Sequence, residues 1–255
     1  MSIESNSSGT CQSEWTEALD ETVAEILRRT GVKRPPVNAI EVAQRLGCPV
    51  LWDKSQSGRA RIGTVRGGPG RRPQSAIFLR PDPRPERIQW AVAHEIGEQC
   101  AAEVYRRLAI EVSESAADSR EQIANALATR LLLPSNWFTH DAMIMDFDLV
   151  QLKNRYATAS HELIARRMLD LALPILVTIF DHGEQQFRRW NLPRRPPSIT
   201  SGELKAWRRA HDSGDAVRHF GPPRIDVWPI QEPGWKREIV RLELVCDVAE
   251  FEAID

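Results

Sequence analysis

The chain has 255 residues, with 34 Lys plus Arg against 35 Asp plus Glu and a formal net charge of −1. Near-neutrality removes any global electrostatic case for nucleic acid, a membrane surface or acidic substrates, and the length allows one main domain plus a smaller module. The four cysteines, Cys11, Cys48, Cys100 and Cys246, form no C-x-x-C pair, and the longest apolar run, Leu171 to Phe180, is too short to span a bilayer. Together these features predict a soluble, cytoplasmic protein in a reducing compartment.

In chain order, residues 1–12 are polar and Ser-rich and read as a disordered leader. From Glu14 to Arg29, Trp15, Leu19, Val23, Ile26 and Leu27 form one helical stripe, with Gly31 placed to end it. Pro35-Pro36-Val37-Asn38 restarts the chain into a short helix bearing Ile40, Val42, Ala43 and Leu46, closed by Gly47. Strands are predicted at Pro49 to Trp52, Arg61 to Val65 and Ser75 to Leu79, with Gly67-Gly68-Pro69-Gly70 as a loop.

A helix is predicted from about Glu86 to Ala109, with Ile88, Val92, Ile96, Cys100, Val104 and Leu108 along one ridge. Another, from about Ser115 to Leu132, should be stopped by Pro134, and two more follow at Phe147 to Tyr156 and Ser160 to Leu171. After Leu173 the pattern turns strand-like at Ile175 to Phe180 and Gln185 to Trp190, joined by Asp181-His182-Gly183. A Pro/Arg-rich linker, a helix at Ser201 to Asp212 and strands at Ile225 to Ile230 and Ile239 to Val245 complete the chain. The expected fold class is α+β: residues 13–172 as a main domain with a small sheet and a helical pair at its end, and 173–255 as a mixed α+β C-terminal module.

The chemistry concentrates in Trp90-Ala91-Val92-Ala93-His94-Glu95-Ile96-Gly97-Glu98. In an H-E-x-x-H helix, residues four apart share a face and grip one metal while the intervening Glu acts as general base. Here His94 and Glu98 hold the ligand spacing and Glu95 the base position, with Glu98 where His is usual.

Three segments resemble the ImmA/IrrE family of intracellular zinc metallopeptidases. They are Pro36 through Gly47, Arg87 through Gly97, and Glu121-Gln122-Ile123-Ala124-Asn125-Ala126-Leu127-Ala128 followed by Leu131-Leu132-Leu133-Pro134. The resemblance covers the chain up to about residue 171. It implies a zincin-like core, and it makes the Glu opening the third segment, Glu121, a metal ligand. The expected site is therefore His94, Glu98 and Glu121 as ligands with Glu95 as catalytic base.

The ion expected is Zn²⁺, with Mn²⁺ or Fe²⁺ as alternatives because carboxylate-rich sites favour harder ions. Two carboxylates and one imidazole cancel a dication's charge, whereas two imidazoles and one carboxylate leave a single positive charge. The resemblance further implies a helix-turn-helix transcriptional repressor as protein substrate, cleaved to derepress stress or mobile-element genes. The alternative is a catalytically degenerate relative that binds a repressor or DNA.

Weaker features have plainer explanations. His140 is a lone histidine that could serve as a replacement ligand or as an electrophile steadying the tetrahedral intermediate, and His161-Glu162 repeats the dipeptide with Ala165 at the fourth position. Tyr105 and Tyr156 suit packing. The turn Tyr156-Ala157-Thr158-Ala159 with Arg166 and Arg167 beyond it has a helix-turn-helix look. Arg188, Arg189, Arg194, Arg195, Lys205, Arg208 and Arg209, interleaved with Trp190 and Trp207, form one local basic patch. Both read better as packing and solvated surface, so direct contact with nucleic acid is not expected.

Overall fold

The computed structural model describes residues 7–66, 73–111, 117–193, 195–232 and 234–244. The predicted 67–70 loop, Arg194, Val245 and residues 1–6 of the leader lie outside them. The class is α+β, with helices α1–α8 and two separate sheets. No described helix is long and apolar enough to cross a membrane.

The chain divides into two compact units. The first runs to Met143 and includes Lys153–Ser160; the second holds Ile144–Leu152 and the chain from His161 onward. This division falls before the 172/173 boundary expected from the sequence. The segment His161–Met168 is apolar on one side, burying Ile164, Ala165 and Met168, and it packs on strands of the second unit.

In the first unit, α1 spans Ser7–Thr30, so residues 7–12 of the expected leader are helical. Its stripe of Leu19, Val23, Ile26 and Leu27 is buried, and Gly31 ends it in the left-handed region at φ 66°. Helix α2 (Ala39–Arg45) is capped by Asn38, whose side chain accepts from Ile40 N at 3.1 Å and Glu41 N at 3.4 Å. Strands β1 (Val50–Trp52), β2 (Ala60–Val65) and β3 (Gln74–Leu79) form a sheet in the order β1-β3-β2. Here β3 lies parallel to β1 and antiparallel to β2, which leaves β2 as an edge strand.

Helix α3 (Pro85–Arg107) opens with Pro in its first turn, where the missing N–H costs nothing. Glu86 sits favourably against the helix dipole and pairs with Lys153 at 2.7 Å. The predicted ridge is only partly buried: Val92, Ile96 and Val104 are in the core, whereas Ile88, Cys100 and Leu108 are half-exposed. Small residues on the adjoining row, Ala93, Gly97 and Ala101, are buried in their place. The reason is that α3 lies against α4 (Ala117–Leu132) at short range, and only small side chains fit between them.

After α4, Pro134 does not simply end a helix. It begins α5 (Ser135–Ile144), with its carbonyl accepting from Phe138 N at 2.8 Å, because proline is as compatible with a first turn as it is hostile to an interior. Then α6 (Leu149–Arg155) follows. Tyr156 packs edge-on against Phe138 and donates to Asp141 at 2.9 Å, a packing role.

The second unit contains α7 (His161–Met168) and an antiparallel sheet in the order β5-β4-β8-β7-β6. Its strands are β4 (Ile175–Asp181), β5 (Glu184–Trp190), β6 (Val217–His219), β7 (Arg224–Glu232) and β8 (Trp235–Glu243). The β4–β5 turn is made by His182 and Gly183, both with positive φ, which matches the twist of a tight hairpin. Pro229 is tolerated within β7 because β6 pairs only with Ile225 to Val227. Helix α8 (Ser201–Ser213) starts with a Thr200/Glu203 capping box and ends at Gly214, φ 74°. Its Ala206 and Ala210 pack on Leu176, Phe180, Val227 and Val240.

Candidate metal centre

Two tethers fix the region of α3 that carries the motif. Gln89 accepts from Ala39 N at 2.7 Å and donates to Asn38 at 3.1 Å, joining α3 to the start of α2. At Gly97 an added Cβ would lie 2.6 Å from the Ala124 carbonyl oxygen and 3.0 Å from its Cα. The absent side chain is thus what lets α4 come close enough for Glu121 to stand beside His94.

The structure brings together the three predicted ligands. One candidate ligating atom from each of His94, Glu98 and Glu121 lies within 4.8 Å of the others, and His94 Nε2 is 3.5 Å from Glu121 Oε2. A tetrahedral ion with bonds of about 2.0–2.1 Å needs ligand atoms roughly 3.4 Å apart. The His94/Glu121 pair already meets that spacing, and the Glu98 atom lies within 4.8 Å of both.

Asn125, one turn after Glu121 on α4, decides which imidazole nitrogen is available. Its amide nitrogen donates to Glu121 Oε1 at 3.0 Å, since an ionised carboxylate can only accept. Its carbonyl oxygen therefore faces His94 Nδ1 at 3.1 Å and can accept a hydrogen bond from it. Nε2 is directed at Glu121, so it is the nitrogen left to face an ion while a neighbour holds the other one.

Glu98 has a second partner. Arg120 Nε donates to Glu98 Oε2 at 2.7 Å, and its terminal nitrogen reaches the Glu98 carbonyl at 3.3 Å. Glu95 lies on α3 next to His94, near the backbone N–H of Ile62 on β2. Burial pushes its carboxyl above the usual range; His94 and the Ile62 N–H oppose this, and the charges of Glu98 and Glu121 add to it. An open cleft of about 830 Å³ is lined by these groups together with Cys48, Arg61, Ile62 and Gln99.

His140 is exposed on α5 and does not join the cluster, which removes it as a replacement ligand. The Glu162 carboxylate pairs with Arg166 and Arg237. Arg166 also lies over the Phe187 ring at 4.2 Å, and Arg167 is buried and paired with Asp170, so both arginines of the helix-turn-helix reading have protein partners. The basic patch is broken similarly: Arg188 is buried against Glu203 at 2.8 Å and Trp207 stacks on Phe180. Asn125 and Arg120 are the residues that sequence reasoning missed. Asn125 had a signal, its i,i+4 position from Glu121; Arg120 had none, because its role needs the α3/α4 approach.

No family model matches the chain, and no curated protein matches it. Among solved structures, a Mycobacterium tuberculosis transcriptional regulator is similar, with a TM-score of 0.62 at 15% identity, over 92% of this chain and 77% of that one. At that identity the likeness establishes a shared fold and nothing of function.

Proposed function

We propose that this chain is a metal-dependent endopeptidase with a zincin-like core, as its resemblance to the ImmA/IrrE family implies. It acts in the cytoplasm on a helix-turn-helix repressor, and cleavage derepresses stress or mobile-element genes. The observation that carries the reading is the convergence of His94, Glu98 and Glu121 from two helices, with Glu95 alongside. The donor set of one imidazole and two carboxylates fits Zn²⁺, with Mn²⁺ or Fe²⁺ as alternatives.

A divalent ion bound there supplies Lewis acidity and lowers the pKa of water toward neutrality. His94 presents Nε2 because Asn125 holds Nδ1. Glu95, with its carboxyl pushed up by burial, accepts the proton from the attacking water and delivers it to the leaving amine nitrogen.

The test is incubation of zinc-loaded protein with candidate repressors. Wild type should cut at a defined bond and Glu95→Gln should bind zinc without cutting. Equal cleavage by both proteins would remove Glu95 from the chemistry.

A second reading, a degenerate enzyme acting as a repressor- or DNA-binding regulator, is favoured by one observation: Arg120 already occupies one oxygen of Glu98. Glu98→His separates the two, since a working enzyme should speed up and a non-catalytic scaffold should remain inert.

A further inference from the structure

Glu98 and Arg120 are two departures that explain each other. Two carboxylates around a dication leave no net charge and a metal-ligating imidazole adds none, yet stabilising a developing oxyanion needs a positive field. Arg120 stands on Glu98 from α4, one residue before Glu121, through an ion pair of 2.7 Å and a second contact to the Glu98 carbonyl. Its guanidinium returns one positive charge to the cluster. The sum for metal, two carboxylates, neutral imidazole and guanidinium is then +1, the value of a site with two imidazoles and one carboxylate.

We propose that Arg120 is a charge-balancing residue for the metal centre, acting through Glu98 and offsetting the carboxylate that stands in place of histidine. This inference rests on the peptidase reading of the same cluster. The Arg120 side chain is 56% exposed, so its hold depends on Glu98; without that acceptor it is free to turn into solvent.

Zn²⁺ affinity, measured by chelator competition on the full chain, tests this without reference to activity. Arg120→Gln removes a cation beside a dication and should tighten Zn²⁺ binding by about tenfold, the scale of one partly screened charge. Arg120→Lys keeps the charge and should stay within about threefold of wild type, because a point charge is retained although the forked contact is lost. In a Glu98→Gln background the Arg120→Gln effect should shrink below about threefold, since the anchor is gone. An unchanged Zn²⁺ affinity in Arg120→Gln, or an equal change in both backgrounds, overturns the proposal while leaving the metal site standing. Failure of the wild-type chain to bind Zn²⁺ at all overturns both.

Discussion

The Gly97→Ala substitution tests the mechanical basis of the site. A methyl group at 97 would approach the Ala124 carbonyl oxygen to 2.6 Å and its Cα to 3.0 Å, and both are backbone atoms that cannot rotate away. Restoring ordinary contact requires the helices to part by about 0.8 Å, taking 3.4 Å as the near limit of van der Waals contact. Overpacking of this kind costs about 1–3 kcal/mol, while the better helix propensity of alanine returns about 1 kcal/mol. The net expectation is a loss of up to about 2 kcal/mol in urea unfolding, together with a drop in Zn²⁺ affinity of about tenfold as Glu121 is carried away from His94. Gly202→Ala is the control. Its added Cβ would sit 3.6 Å from Ile225 Cδ1, an ordinary contact, so it should be neutral or stabilising by up to about 1 kcal/mol. A Gly97→Ala protein as stable as wild type, with unchanged zinc affinity, would refute the claim that this close approach builds the site.

Removing the amide of Asn125 with Asn125→Ala should lower Zn²⁺ affinity about 10- to 100-fold by chelator competition, because Nδ1 of His94 loses the acceptor that fixes its tautomer. Glu203→Ala should destabilise the second unit by about 3–5 kcal/mol in chemical denaturation, since it strands the buried Arg188 and removes the capping box of α8. Arg224 beside Asp146 holds that carboxyl below its ordinary range, so the pair's stabilisation is complete above pH 3.8 and is lost as pH falls through the depressed value. Asp146→Asn should therefore cost up to about 0.5–1 kcal/mol at neutral pH, kept small by exposure, and the difference from wild type should fade in strong acid; thermal melts across that range check it.

The sequence made the site legible through spacing and the fold legible through periodicity. His94, Glu95 and Glu98 follow from one helix's geometry, and Glu121 required the resemblance, because nothing in spacing alone says which distant carboxylate returns to that helix. Every main helix was visible except α5, which was hidden because Pro134 reads as a stop and serves as a start. The ridge on α3 was misjudged because hydrophobicity favours Ile88 and Cys100, whereas close helix contact selects Ala93, Gly97 and Ala101. In the second unit, β6 is only three residues long, and β8 carries buried Glu238 and Arg241, which composition marks as surface. Arg120 lay beyond reach because its partner is 22 positions away on another helix.

The most direct test of the account is the zinc content of the purified 255-residue chain, measured beside His94→Ala and Glu121→Ala. One ion per wild-type chain, lost in both variants with the fold retained by circular dichroism, is the predicted result. Zinc that persists in either variant, or its absence from the wild type after loading, would contradict a metal centre built from α3 and α4.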